Sequence, residues 1–253
     1  MLKRELEYFF GAIRFFTRLP VPGWVGHSAE ALNSAARYFP AVGLLVGGIG
    51  VLVYLGAALF WPKPVAVLLS MVATIYVTGA FHEDGLSDTV DGLGGGWEKQ
   101  RILEIMKDSR VGSYGVVALV LALSGKFTLL VALDDALLPW ALLAGHAISR
   151  FCATSLLASM DYVRDDALSK ARPLANRLSW PILLMAAGFA LLPLAGLPPV
   201  KAVAGCLLAA LVTAWLSRLF MRWLGGYTGD CLGATQQLSE IAFYLGLLAL
   251  LPV

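Results

Sequence analysis

Charge is scarce in this chain of 253 residues. Asp, Glu, Lys and Arg together make up 14%, against about 25% in soluble domains. A water-soluble fold of this length needs far more polar surface, so soluble-globular and disordered readings are excluded. Cysteine is rare as well. Cys152, Cys206 and Cys231 lie far apart and form neither a disulfide framework nor a zinc-ligand spacing. Neither sign of charge dominates, and a net charge of +2 excludes a chain made basic for nucleic acid. No internal repeat is visible, which removes one common signature of transporters. What is abundant is apolar: 58% of the residues, with a mean hydropathy of +0.75. The chain reads as a single integral membrane domain over 1–253, an all-α polytopic transmembrane helix bundle.

A spanning helix needs roughly 17–25 mostly apolar residues. About seven segments qualify: 41–61, 64–81, 114–133, 136–160, 180–197, 202–224 and 234–253. Positive residues stay on the cytoplasmic side. With the N-terminus inside, that side holds fifteen Lys and Arg residues and the outer side two, Lys63 and Lys201. The count predicts loops 82–113 and 161–179 inside and Val253 outside. Residues 1–40 form an N-terminal segment. Within it, Leu2, Leu6, Phe9, Phe10, Ile13 and Phe16 recur at helical spacing. They predict an amphipathic helix in the cytoplasmic interface, with a re-entrant hairpin as the alternative. Glu5, Glu7, Arg14 and Arg18 interrupt any signal-peptide core.

Chemistry concentrates in the acidic, glycine-rich loop 82–113. Asp84, Asp88 and Asp91 are spaced i, i+4, i+7 and fall on one stripe of a helix. Like charges on one stripe repel. A hard divalent cation would offset that repulsion, and Mg²⁺ is commonly held by carboxylates plus substrate phosphates. Glu83 sits 100° off the stripe as a possible fourth ligand, and Asp108 either joins the metal cluster or orients Arg110. Gly94, Gly95 and Gly96 suit an anion nest. A short amphipathic helix is predicted over 98–109. Lys107 and Arg110 suit a phosphate clamp, Arg by a bidentate fork. A solvated acidic helix start is the plainer reading. Four acids in nine residues, directly after a span and among glycines, weigh against it.

A second glycine-rich loop covers 225–234. Asp230 suits either a helix cap or metal ligation, and Gly229 approaches a helix N-terminus, where anions bind. Arg150 and His146 share one face of the fourth segment, and Arg150 is a candidate phosphate ligand. Lys126 reads as a snorkelling lysine. Loop 161–179 reads mainly as a positive-inside loop, with Lys170, Arg172 and Asn176 as weaker candidates.

Three stretches, Phe81 to Gly96, Met106 to Gly115 and Gly226 to Ala234, resemble the cobalamin-5′-phosphate synthase family. So do the N-terminal run Phe15 to Pro20 and the entry Arg37-Tyr38-Phe39-Pro40. The resemblance covers about residues 5–245, with Ser87 standing where a small apolar residue is expected. It implies that a ribazole hydroxyl attacks the phosphate of a nucleotide-activated corrinoid and GMP leaves. It also implies Mg²⁺ and a place in the bacterial inner membrane, with the active site on the cytoplasmic side. On the residues and the resemblance together, the candidate metal ligands are Glu83, Asp84, Asp88, Asp91 and Asp108. Catalysis falls to Asp84, Asp88, Asp91, Lys107 and Arg110. Substrate binding falls to His82, Gly94, Gly95, Gly96, Arg150, Gly229 and Asp230. The expected partners are the corrinoid, α-ribazole and the lipid bilayer. Two rivals are a phosphotransferase acting on a nucleotide-activated lipid and a cation-coupled transporter. A transporter should carry its acids near the bilayer midplane; these acids follow a span's end.

Overall fold

The computed structural model describes residues 2–26, 29–164 and 178–249. Lys170, Arg172, Asn176 and Val253 lie outside the described residues. The described residues are helical, and their one extended pairing is a bridge between Tyr162 and Tyr227. In chain order the helices are α1 (Leu2–Phe16), α2 (Ala29–Ala35), α3 (Phe39–Ala58), α4 (Lys63–Thr78), α5 (Phe81–Gly95) and α6 (Lys99–Ile105). There follow α7 (Ser113–Ala132), α8 (Leu138–Ser159), α9 (Trp180–Leu191), α10 (Pro199–Trp223) and α11 (Gly229–Leu247).

Proline opens α3, α4, α8, α9 and α10 in their first turn. There its missing N–H is no loss and its fixed φ suits the helix. α7 and α11 open without proline and are capped by side chains instead. α3, α4, α7, α8, α9 and α10 are apolar on most sides, as a bilayer requires.

A helix occupies each of the seven apolar segments, but the spans are fewer by length and apolarity. Ala31–Ala58, Ser113–Ala132, Leu138–Ser159 and Pro199–Trp223 are long and apolar enough to cross, and α4 with α5 adds a fifth if that bent pair is one span. α4, α9 and α11 fall short of that length and apolarity as single helices. α4 has 16 residues, about 24 Å at 1.5 Å each. α9 stops at Leu191 and continues as a 3₁₀ turn over Leu192–Gly196. α11 is too rich in polar side chains. α5 leaves α4 at 85°. It carries four acids and reads as the arm outside the bilayer.

The main packing partners are α10 with α11, α3 with α8, α5 with α11, α3 with α4, and α8 with α11. Two apolar cores result. One gathers Phe16, Phe39, Ile102, Leu157, Phe220 and Tyr227, around the start of α11. The other gathers Tyr54, Val67, Leu133, Leu142, Phe243 and Leu247, around its end. A polar layer with Lys126, His146, Gln236 and Glu240 lies between them. α1 buries Tyr8, Ala12, Ile13 and Phe16 and exposes Leu2 and Leu6.

Candidate active site

The turn into α5 uses two consecutive left-handed residues, Gly79 (φ 67°) and Ala80 (φ 56°). For Ala80 this conformation costs roughly 1 kcal/mol, so surrounding contacts must hold it. Arg18 does part of this. Its N–H donates to Val77 O at 2.8 Å, and its guanidinium lies 5.9 Å from the Tyr76 ring centre.

Past the turn, α5 crosses α11 at Gly85 and Gly233. A Cβ on Gly85 would lie 3.1 Å from Asp230 Cα and 3.2 Å from Gly233 Cα. Glycine at both positions lets the two backbones come this close; a Cβ at Gly85 would push the helices apart by a few tenths of an ångström. The crossing brings the two glycine-rich segments together and sets Asp84 and Asp88 beside Asp230. Asp84 is exposed and Asp88 half-buried. Burial, then the charges of Asp230 and Asp84, push the Asp88 carboxyl up to about 7. Burial also raises Asp230, against the pull of Arg164.

Arg164, which the sequence alone shows only as one cation of a positive-inside loop, is a site residue. It pairs with Asp230 at 3.1 Å. Backbone pairing delivers it: Tyr227 N–H donates to Asp161 O and Val163 N–H to Tyr227 O, both at 3.0 Å. A pairing between residues this far apart in the chain leaves no local sequence signal.

Asp230 is not the cap of α11. Thr228 is, its hydroxyl accepting from Cys231 N–H at 3.3 Å. The Asp230 carboxylate thus faces the other acids.

Asp91, on the acidic stripe, spans to another helix. Its two oxygens accept from Gly112 N–H at 2.7 Å and Gly115 N–H at 2.9 Å. It thereby caps α7, meeting donors that a helix start leaves unpaired. Asp108 and Arg110 form an exposed pair at 2.6 Å, with Arg110 Nε shared between both carboxylate oxygens and Nη2 on Oδ2. Arg110 holds the Asp108 carboxyl down at about 2. Asp108 therefore orients Arg110. Arg110, Arg101, Asp91, Gly95 and Tyr114 border an open cavity of about 460 Å³. Gly94 lies beneath the Tyr114 ring and Gly96 against Ile102, so these two glycines make room for neighbouring helices. α6 is shorter than the predicted 98–109, and Lys107 is exposed just past it.

His82, Arg150 and Gly229 meet on a separate, enclosed cavity of about 30 Å³. Phe15, Phe16, Phe39 and Phe81 form its apolar wall. The Phe16 ring stacks on His82 at 5.4 Å. Arg150 is buried and donates to His146 O at 2.9 Å.

Glu83 faces away from the acidic stripe. It accepts from Gln237 at 3.0 Å and lies among the charges of Lys126, Glu240 and Arg150. Lys126 does not snorkel. It pairs with Glu240 at 2.6 Å, both side chains fully enclosed. The two sit on facing helices, α7 and α11, each in a largely apolar stretch of the sequence, and the rule that ions in such stretches pair could have matched them.

Among the described residues, no three His, Cys, Asp or Glu side chains converge closely enough to hold a metal as they stand. The donor chemistry nevertheless suits Mg²⁺. Asp84, Asp88 and Asp230 offer hard carboxylate oxygens, and their mutual repulsion is what a cation would relieve. A Mg²⁺ held by one or two carboxylates plus substrate phosphates needs no preformed three-acid cage.

A family model described as cobalamin-5-phosphate synthase matches residues 8–248. The chain is similar to proteins named adenosylcobinamide-GDP ribazoletransferase. That of Shewanella amazonensis is 49% identical over 98% of this chain and 97% of the relative. That of Shewanella frigidimarina is 50% identical over 97% and 95%. That of a Polaromonas species is 48% identical over 93% and 94%. No solved structure matches the chain.

Proposed function

This chain belongs to the cobalamin-5-phosphate synthase family, and from that premise we propose that it joins α-ribazole, or its 5′-phosphate, to adenosylcobinamide-GDP. GMP is released, and adenosylcobalamin or its 5′-phosphate forms. The observation that carries this reading is the Gly85–Gly233 crossing. It sets two carboxylates of α5 beside Asp230 of α11, with Arg164 as the cation opposite them.

The ribazole hydroxyl oxygen attacks the phosphorus that carries the corrinoid. The bond from that phosphorus to the bridging oxygen breaks, GMP leaves with that oxygen, and the hydroxyl proton passes to a site carboxylate. Bound at Asp84, Asp88 and Asp230, Mg²⁺ would neutralise the diphosphate and polarise the attacked phosphorus. Arg164 binds phosphate oxygens, and its pairing with Asp230 fixes the direction of its fork. Asp91 holds the start of α7 in place beside the acids. Arg110, aimed by Asp108, takes nucleotide phosphate at the open cavity. The buried His82 and Arg150 shape the wall behind α5.

The reading places the site on the cytoplasmic face of a bacterial inner membrane, with α3, α4 and α7–α11 crossing seven times and the N-terminus inside. Two features support it. The first residue of α4, Lys63, meets Asp135 in the loop before α8 at 2.7 Å, while the acids gather at the other ends of those helices. The Lys and Arg ratio of fifteen to two puts the acid end inside. α1, with Leu2 and Leu6 exposed, lies in that interface.

The test is direct. Purified protein in detergent, given adenosylcobinamide-GDP, α-ribazole and Mg²⁺, should release GMP in step with cobalamin formation. Absence of both products overturns the reading.

A further inference from the structure

Behind the acidic stripe, a connected set of hydrogen bonds links four helices, α5, α7, α8 and α11. Lys126 of α7 pairs with Glu240 Oε1 of α11 at 2.6 Å, and Tyr244 donates to the same oxygen at 2.8 Å. Gln236 Nε2 donates to Glu240 Oε2 at 2.7 Å and to Ser149 at 2.9 Å. Gln237 Nε2 donates to Gln236 Oε1 at 2.8 Å and to Glu83 Oε1 of α5 at 3.0 Å. Every side chain in this line is buried, none more than 8% exposed.

The line has a direction. An ionised carboxylate only accepts, so Glu240 obliges Gln236 to present its NH₂ group. The carbonyl of Gln236 must then face Gln237, which turns the NH₂ of Gln237 outward to Glu83. Both amides have no hydrogen left over, so neither can flip without stranding a buried donor. Glu83 is thereby fixed by the Lys126–Glu240 pair. It stands 100° around α5 from Asp84, and the charges that act on it are those of the buried layer. The charges that act on Asp88 are Asp230, Asp84, Arg164 and Asp91.

We propose that Glu83 is a positioning residue: the line from Lys126 through Glu240, Gln236 and Gln237 locks the rotation of α5 so that Asp84 and Asp88 face Asp230. The proposal deepens the catalytic reading above and rests on it for the role of those acids. It removes Glu83 from the metal shell.

The experiment compares full-length Glu83→Gln, Glu83→Ala and Gln237→Leu in detergent, with Gln237→Met as a same-length alternative without a donor. Three quantities are read: Mn²⁺ affinity by electron paramagnetic resonance, GMP release, and amide hydrogen exchange over 84–92. Glu83→Gln keeps a carbonyl oxygen for Gln237. It should hold Mn²⁺ affinity and exchange near wild type and lower turnover by no more than about threefold. Glu83→Ala and the Gln237 variants should speed exchange over 84–92, weaken Mn²⁺ and cut turnover about tenfold or more, as small misplacements do. Loss of Mn²⁺ affinity in Glu83→Gln equal to that in Glu83→Ala makes Glu83 a ligand and overturns the proposal. Unchanged exchange and turnover in both Gln237 variants overturns it as well. Exchange needs neither metal nor substrate, so a failure of the catalytic reading leaves this result readable.

Discussion

Asp91 and Gly115 are packed so closely that a Cβ on Gly115 would lie 2.4 Å from the Asp91 carboxylate. The carboxylate reaches the first turn of α7 only because Gly112 and Gly115 leave room. Gly115→Ala should therefore act like loss of the cap. Asp91→Ala and Gly115→Ala should each lower stability by about 1–2 kcal/mol, seen as a lower thermal midpoint in detergent. If Asp91→Ala unfolds at the wild-type temperature, the capping role is wrong.

Asp88 lies at the centre of the carboxylate group. Asp88→Asn keeps size and hydrogen bonding but loses a metal-binding charge. It should abolish most GMP release while the protein stays monodisperse. Near-normal turnover at limiting Mg²⁺ would remove Asp88 from the metal shell.

Asp230 is free of the capping role, since Thr228 fills it. Asp230→Asn should lose activity that excess Mg²⁺ partly restores. Arg164→Lys keeps the charge but not the planar fork, and should raise the KM for adenosylcobinamide-GDP more than it lowers kcat. An unchanged KM in Arg164→Lys would detach that residue from the substrate phosphates.

The Lys126–Glu240 pair is enclosed by α7, α8 and α11. Removing Lys126 leaves the Glu240 carboxylate without its lysine cation, held by Tyr244 and Gln236 with His146 at 3.6 Å, so Lys126→Met should cost about 3 kcal/mol. Lys126→Met with Glu240→Gln removes both charges and should recover most of that stability. Chemical denaturation of the single and double variants checks this, and a double variant no better than Lys126→Met counts against the pairing.

Topology is open to labelling. In a background with the three cysteines changed to alanine, Asp134→Cys should react with an impermeant reagent from outside the cell. Glu98→Cys should react only after the membrane is opened. Reversed labelling overturns the seven-crossing arrangement.

Composition alone marks the chain as a membrane helix bundle, because too little polar surface exists for any other solution. The stripe of Asp84, Asp88 and Asp91 is equally readable from spacing, since helical periodicity is local. The family was legible too, in motifs that need no folding to be read. Which acids stand together depends on how the helices pack. Asp88 meets Asp230 because Gly85 and Gly233 allow two helices to touch. Asp91, on the same stripe, is drawn off to α7, and Glu83 turns inward to Gln237. Arg164 reaches Asp230 through backbone pairing between distant segments, and Lys126 finds Glu240 across the bundle. These outcomes depend on close approach and on buried donors finding acceptors. Such terms are set by the packing of whole helices, and residue spacing along one helix does not contain them.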